Sequence, residues 1–90
     1  MRKAIITVVG KDSVGIIAKV CTYLAGKEIN ILDISQTITG GFFNMMMIID
    51  LAKCEAPFQT IQTDLYEIGK TLGTVIHMQD EAIFDSMHRI

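Results

Sequence analysis

The residues best placed to do chemistry lie in a short loop, GKDSVG, at positions 10–15. Its two glycines, Gly10 and Gly15, permit a close approach of the backbone to a bound molecule. The first N–H groups of a helix that begins near residue 16 have no partner within the helix, and such groups attract a carboxylate. Asp12 supplies the opposite charge and is able to hold an ammonium group. A zwitterionic amino acid would satisfy both halves of this site.

A structural interpretation of the same loop is simpler. Asp12 and Ser13 are common helix N-cap residues, and a glycine on each side turns the chain. Spacing alone favours this capping interpretation and leaves ligand binding as the alternative.

The other reactive side chains follow no catalytic or metal-binding pattern. His77 and His88 have no serine, cysteine or carboxylate at a spacing that suggests a proton relay. Cys21 and Cys54 have no further ligand at metal-binding spacing. The methionines at 45–47 alternate between the faces of a strand and cannot converge on one ion. We therefore predict no enzyme, no metal site and no cofactor.

Charge and hydropathy exclude several classes of partner. The 90 residues carry a net charge of −2, with no cluster of lysine or arginine. Nucleic-acid binding depends largely on phosphate neutralisation, for which this sequence has no basic patch. The longest apolar run is far shorter than the roughly 18 residues of a membrane span, and no signal peptide is recognisable. The sequence predicts one cytoplasmic domain over residues 1–90, without nucleic-acid or membrane partners.

Hydrophobic periodicity predicts the order β-α-β-β-α-β, followed by a helical tail. The expected elements are strand 3–9, helix 16–26, strand 29–38, strand 42–51, helix 57–73, strand 74–79 and a tail helix at about 80–90. A hairpin turn is expected at Gly40-Gly41. Gly26 and Gly73 are expected to end the two main helices, and Pro57 to be the first residue of the second.

This element order is that of the ferredoxin-like βαββαβ fold. We expect an α+β sandwich in which a four-stranded antiparallel sheet carries both helices on one face, because both crossovers are right-handed. On the third strand, Phe42, Met46 and Ile48 point to one face, and the other face has a second apolar set, so both sheet faces are apolar. The second set is Phe43, Met45, Met47, Ile49 and Leu51. The tail helix, with Asp80 as its cap, a second subunit, or both would cover that face. We predict a homo-oligomer, most simply a homodimer.

Two segments, VVGKDSVGIIAKV and EINILDISQ, resemble the ACT domain, the small-molecule-sensing module of amino-acid metabolism. The loop motif is similar to those of glycine-cleavage regulators and of the ACT domains on formyltetrahydrofolate deformylase. The second segment is especially similar to that of small stand-alone ACT proteins. The resemblance covers nearly the whole chain.

The resemblance implies an amino-acid ligand at a subunit interface, between the loop of one chain and the start of the second strand of its neighbour. The ligand contacts that it implies are Gly10, Lys11, Asp12, Ser13, Val14, Gly15, Ile16, Asn30 and Ile31. The amide of Asn30 both donates and accepts hydrogen bonds. Val14 departs from the family pattern, because many members have proline there.

Two functions of different class follow from the resemblance. The first is a stand-alone regulatory protein that binds an amino acid at a homodimer interface and signals to a separate regulated protein. The second is a protein–protein interaction or dimerisation module whose ligand site has degenerated.

Overall fold

The computed structural model describes residues 2–11 and 15–82. Its elements, in chain order, are β1 (Lys3–Lys11), α1 (Ile16–Gly26), β2 (Asn30–Thr39), β3 (Phe42–Asp50), α2 (Phe58–Leu72) and β4 (Thr74–Asp80). The strands form one antiparallel sheet in the order β2-β3-β1-β4. The predicted ferredoxin-like βαββαβ architecture is confirmed.

The core lies between one face of the sheet and the two helices. Alternate residues of the central strands point into it, as the period of two in a strand requires. Both helices contribute to the same cluster, so they lie on the same face of the sheet. The largest fully buried side chains are Ile6, Val8, Ile16, Val20, Leu24, Met47, Ile49, Ile61, Leu65 and Ile76.

The ends of α1 differ from those expected. Gly15 is the N-cap, in the left-handed region at φ 93°, and as a glycine it has no side chain to cap the helix. The prediction of Asp12 or Ser13 as the N-cap is therefore wrong, and both residues lie outside the described part of the chain. Gly26 is still helical, and Lys27 rather than Gly26 is the C-cap, with its N–H donating to the carbonyl of Leu24.

The ends of α2 are closer to the prediction. Pro57 is the N-cap, in an extended conformation with ψ 147°, so the helix begins at Phe58 and not at the proline. Gly73 ends the helix with φ 70°, as predicted, and its conformation is the left-handed one that glycine adopts without strain.

The sheet face opposite the helices, called here the outer face, is partly apolar, as the pattern of β3 predicts. It presents Val9, Phe42, Met46 and Val75, which are 39–52% exposed. Beyond β4, the Asp80 carboxylate accepts a hydrogen bond of 2.9 Å from the N–H of Ala82. The rest of the predicted tail helix, residues 83–90, lies outside the described part of the chain.

Candidate ligand site

Gly10 lies near the end of β1, where it packs tightly against the start of β4. A Cβ at this position would lie 2.8 Å from Thr74 Cγ2, 2.9 Å from Thr74 Cα and 3.0 Å from the carbonyl oxygen of Gly73. Two of these three atoms belong to the backbone and cannot move without shifting the strand. The fold itself therefore requires glycine here, independently of any ligand.

Gly15 requires glycine for a different reason. Its φ of 93° is unfavourable for residues with a side chain. Among the described residues, apart from its chain neighbours, none has an atom within 4 Å of the position that a Cβ would take. Its carbonyl accepts the N–H of Lys19 at 2.9 Å, which places Gly15 at the first turn of α1.

The loop residues next to these glycines have contrasting environments. Lys11 ends β1 and is exposed, whereas the Ile16 side chain is only 2% exposed and packs in the core. Ile16 is therefore able to offer a ligand its backbone N–H, at the positive end of the α1 dipole, but not its side chain. Asp12, Ser13 and Val14 lie outside the described residues.

The second group of predicted site residues lies at the start of β2. Asn30 is the first residue of the strand and is exposed, with Asp50 opposite it on β3. Ile31 is half-buried and packs against the core. Of the two, Asn30 is the one whose polar side chain is accessible.

The structure does not bring the two groups together within one chain. Asn30 is opposite Asp50, which is opposite Lys3, the first residue of β1. Lys11, at the other end of β1, lies eight residues further along that strand. At the rise of an extended strand, this separates the two groups by about 26 Å along the sheet. A single ligand that contacts both must lie between two copies of the chain.

The predicted site residues that the structure describes do not line its four main surface depressions. A depression of about 250 Å³ lies on the outer face, between β1, β2 and β3. The polar side chains of Thr7, Ser35, Thr37 and Asn44 line it. The sequence did not predict this depression as a site. Polar residues alternate along β2, but this pattern is also typical of any strand with one solvated face.

Away from this site, a tyrosine and an aspartate connect the two helices. The Tyr23 hydroxyl of α1 donates a hydrogen bond to the Asp64 carboxylate of α2, which ties the two helices together. Burial, and then this hydrogen bond, raise the pKa of Tyr23 well above its usual value, so the hydroxyl stays protonated. Cys21 and Cys54 are free thiols.

Within residues 2–11 and 15–82, no group of three His, Cys, Asp or Glu residues is positioned to hold a metal ion. None of the helices in that part of the chain is long and apolar enough to cross a membrane.

Comparison with known proteins identifies the family. The family model for the ACT domain matches residues 2–79. A UPF0237 protein of Bifidobacterium longum is 56% identical over 90 residues and covers all of both chains. The solved structure of an ACT domain protein from Streptococcus pneumoniae has a TM-score of 0.81 and 40% identity, over 97% of this chain and 98% of that one.

A fold relationship extends to part of a larger enzyme. A formyltetrahydrofolate deformylase from Pseudomonas syringae has a TM-score of 0.83 at 24% identity, over 91% of this chain but only 28% of the enzyme. That match shows a shared fold. The family match over residues 2–79, together with the full-length relative at 56% identity, shows that this chain belongs to the ACT-domain family, within its UPF0237 group.

Proposed function

We propose that this protein is a regulatory protein that binds an amino acid at an interface between two copies of the chain. The observation that carries the proposal is the separation of the loop from Asn30 by about 26 Å along one sheet. Both belong to the motifs that the ACT family uses for its ligands. A ligand held by the loop of one chain is therefore able to reach Asn30 only from a second copy.

The chemistry of the two groups suits a zwitterion. The backbone N–H of Ile16 lies at the positive end of α1, next to Gly15, and exposed Lys11 adds a positive charge. These groups favour a carboxylate. Asp12 would hold the ammonium group, and Asn30 from the second copy is able to bond either end of the ligand.

A second function, an interaction or dimerisation module with a degenerate ligand site, is favoured by a different observation. The outer face exposes four apolar side chains, and all but one of the residues of β2 are exposed. Such surfaces are typical of protein contacts. This alternative needs neither Asp12 nor Asn30 to contact a ligand.

Thermal unfolding in the presence of each of the twenty amino acids separates the two functions. A ligand at 100 times its Kd stabilises the folded state by about 2.7 kcal/mol. For a domain of this size, we expect Tm to rise by roughly 10–20 °C. No shift with any amino acid, for a protein shown to be folded and dimeric, would favour the interaction module.

Two substitutions test the site itself. Asp12→Ala and Asn30→Ala should each abolish the shift in Tm without loss of the fold. The matched control is Asn44→Ala, which removes the same side chain as Asn30→Ala from an exposed position of the sheet away from the proposed site. A shift that survives both Asp12→Ala and Asn30→Ala would show that the ligand binds elsewhere.

Mixing the two defective variants tests whether the site is shared. A heterodimer of Asp12→Ala with Asn30→Ala has one site that carries both changes and one that carries neither. Half of the sites in each heterodimer should therefore bind the amino acid, although neither parent homodimer does. Isothermal titration of the refolded mixture should recover about a quarter of the wild-type sites if the subunits exchange at random. No recovery in a mixture shown to contain heterodimers would overturn the shared site.

A further inference from the structure

We infer that residues 83–90 pack across one end of the outer face of their own chain, over Ile5 and Ile48, and leave the rest of that face open. The inference rests on the burial pattern of the described strands and does not depend on the proposed ligand.

The outer face becomes less exposed towards the end at which β4 finishes. On β1, Val9 is 49% exposed, Thr7 is half-buried and Ile5 is only 6% exposed. On β3, Met46 is 39% exposed, whereas Ile48, which lies opposite Ile5, is half-buried. The two less exposed apolar side chains are therefore neighbours at one end of the face.

The core does not account for the burial of Ile5. This residue alternates with Ala4 and Ile6, which face the helices, and it does not belong to the core cluster of described residues. Both described helices lie on the opposite face of the sheet. Val9, on the same strand and the same face, has the exposure of a side chain that nothing covers. The burial of Ile5 therefore indicates a cover that lies outside the described residues.

Residues 83–90 follow the sheet directly beside this buried end. Gln79 of β4 lies opposite Ile5. The strand ends one residue later, at Asp80, whose carboxylate accepts the N–H of Ala82 at 2.9 Å. This hydrogen bond holds the turn by which the chain leaves the strand.

The other segments outside the described residues are poorly placed to cover Ile5. Residues 12–14 follow Lys11, which lies about 20 Å from Ile5 along β1. Met1 is a single residue, four positions before Ile5. Residues 83–90 are the remaining segment.

The helix side of the same sheet end is already occupied. Arg2 Nε lies 3.6 Å from Oδ2 of the Asp80 carboxylate. The Arg2 guanidinium also lies 4.7 Å from the centre of the Phe58 ring, at the start of α2. Because these contacts fill the helix side beside Asp80, the outer face is the accessible direction for residues 83–90.

The width of the buried patch matches the length of this segment. The path from β4 across β1 to β3 is about 10 Å at the usual spacing of strands. Eight residues of helix are about 12 Å long. A helix on this path passes over Ile5 and ends near Ile48, which explains why Ile5 is the more buried of the two. Asp33, beyond Ile48 on β2, is exposed.

The sequence of the segment provides an apolar side for this contact. At the spacing of the predicted tail helix, four apolar residues share one side, namely Ile83, Phe84, Met87 and Ile90. Ser86 falls outside that side. Packing of the apolar side on Ile5 and Ile48 would remove apolar surface of both partners from water.

The covered end limits where a partner protein is able to dock. Val9, Phe42, Met46 and Val75, with the depression between β1, β2 and β3, lie on the open part of the outer face. A protein that binds this face would contact the open part alone. Release of residues 83–90 would add the covered end to the binding surface.

Thiol labelling tests the contact in the whole chain. The background carries Cys21→Ser and Cys54→Ser, so that each variant has a single thiol. An aromatic disulfide reagent, followed by absorbance, should label the Ile5→Cys protein far more slowly than the Val9→Cys protein. Adding Met87→Asp should speed the labelling of Ile5→Cys about tenfold, because a charge replaces a buried methionine side chain. The rate for Val9→Cys should not change.

The matched control is Ser86→Asp, which adds the same charge at the neighbouring position outside the apolar side. It should leave the Ile5→Cys rate unchanged. Met47→Cys, at a fully buried position of the core, reports whether the whole chain has opened. If Met87→Asp also speeds the labelling of Met47→Cys, the milder Met87→Ala repeats the comparison, with Ser86→Ala as its control. An Ile5→Cys rate that neither change at Met87 raises would overturn the inference.

A mixture tests whether the covering segment belongs to the same chain. Ile5→Cys chains are refolded together with a large excess of cysteine-free chains that carry Met87→Asp. The labelling rate should remain that of the Ile5→Cys protein alone, because each chain covers its own Ile5. A rate close to that of the Ile5→Cys, Met87→Asp protein would assign the covering segment to a second copy and contradict the inference.

Discussion

At the scale of single residues, Gly10 and Gly15 require glycine for different physical reasons. Gly10 is needed because Thr74 and Gly73 fill the space that a Cβ would take. Gly15 is needed because its φ of 93° disfavours a side chain, although no described residue beyond its chain neighbours would contact a Cβ there. The sequence motif therefore combines a packing requirement with a conformational one.

The packing requirement gives a direct prediction. Gly10→Ala should lower the free energy of unfolding by about 1–3 kcal/mol, because the new methyl group overlaps backbone atoms of the neighbouring strand. The matched control is Gly26→Ala, where no atom lies within 4 Å of the added Cβ. Urea unfolding followed by circular dichroism measures both. Equal stabilities for the two variants would mean that β1 and β4 adjust easily around Gly10.

At the scale of elements, the sequence predicted the order and the type of every described strand and helix. Their ends were harder to predict, because contacts distant in sequence decide them. β1 continues to Lys11, beyond the apolar run, because Gly10 and Lys11 pair with residues of β3. α1 begins with a left-handed glycine and no side-chain cap, although two residues with good capping side chains precede it.

The face pattern of β2 was only partly predictable. Alternation in the sequence places Leu32, Ile34 and Ile38 on one face. The structure has a shift of register between Ile31 and Asp33, a bulge at which Leu32 has no residue opposite it on β3. A bulge depends on the pairing between two strands and has no clear signal within one of them.

The hairpin between β2 and β3 supports an element-scale prediction. Gly40 and Gly41 both have positive φ, 58° and 82°, the pattern of a two-residue type I′ turn. Gly40→Asn should change the free energy of unfolding by less than about 0.5 kcal/mol, because asparagine tolerates the left-handed region. Gly40→Val should cost about 1–2 kcal/mol, because a β-branched residue does not tolerate it. Urea unfolding compares the two variants, and equal losses would show that the turn changes its type.

At the scale of the whole molecule, the two sequence motifs of the candidate site do not reveal the distance between them. The loop and Asn30 both belong to recognisable segments of the sequence, but their positions at opposite ends of an antiparallel sheet follow only from the strand register. Periodicity predicts strands and helices, whereas the distance between two motifs depends on how the strands are ordered and aligned. Once that register is known, the distance shows that one ligand cannot contact both groups within a single chain.

A homodimer of the kind proposed predicts that stability depends on protein concentration. Folding coupled to association gains about 1.4 kcal/mol per mole of dimer for each tenfold increase in concentration, so Tm should rise with concentration. If the exposed strand β2 forms the subunit contact, Ile38→Lys should remove this dependence, because the charged side chain would lose hydration on association. The fold of each chain should survive, because Ile38 is 60% exposed within one copy.

The matched control is Ile17→Lys, which places the same charge at an exposed position of α1 and should leave the concentration dependence unchanged. Differential scanning calorimetry at several concentrations, with sedimentation velocity on the same samples, makes the comparison. A dimer that persists in Ile38→Lys but dissociates in Ile17→Lys would place the subunit contact on α1 instead of the β2 edge.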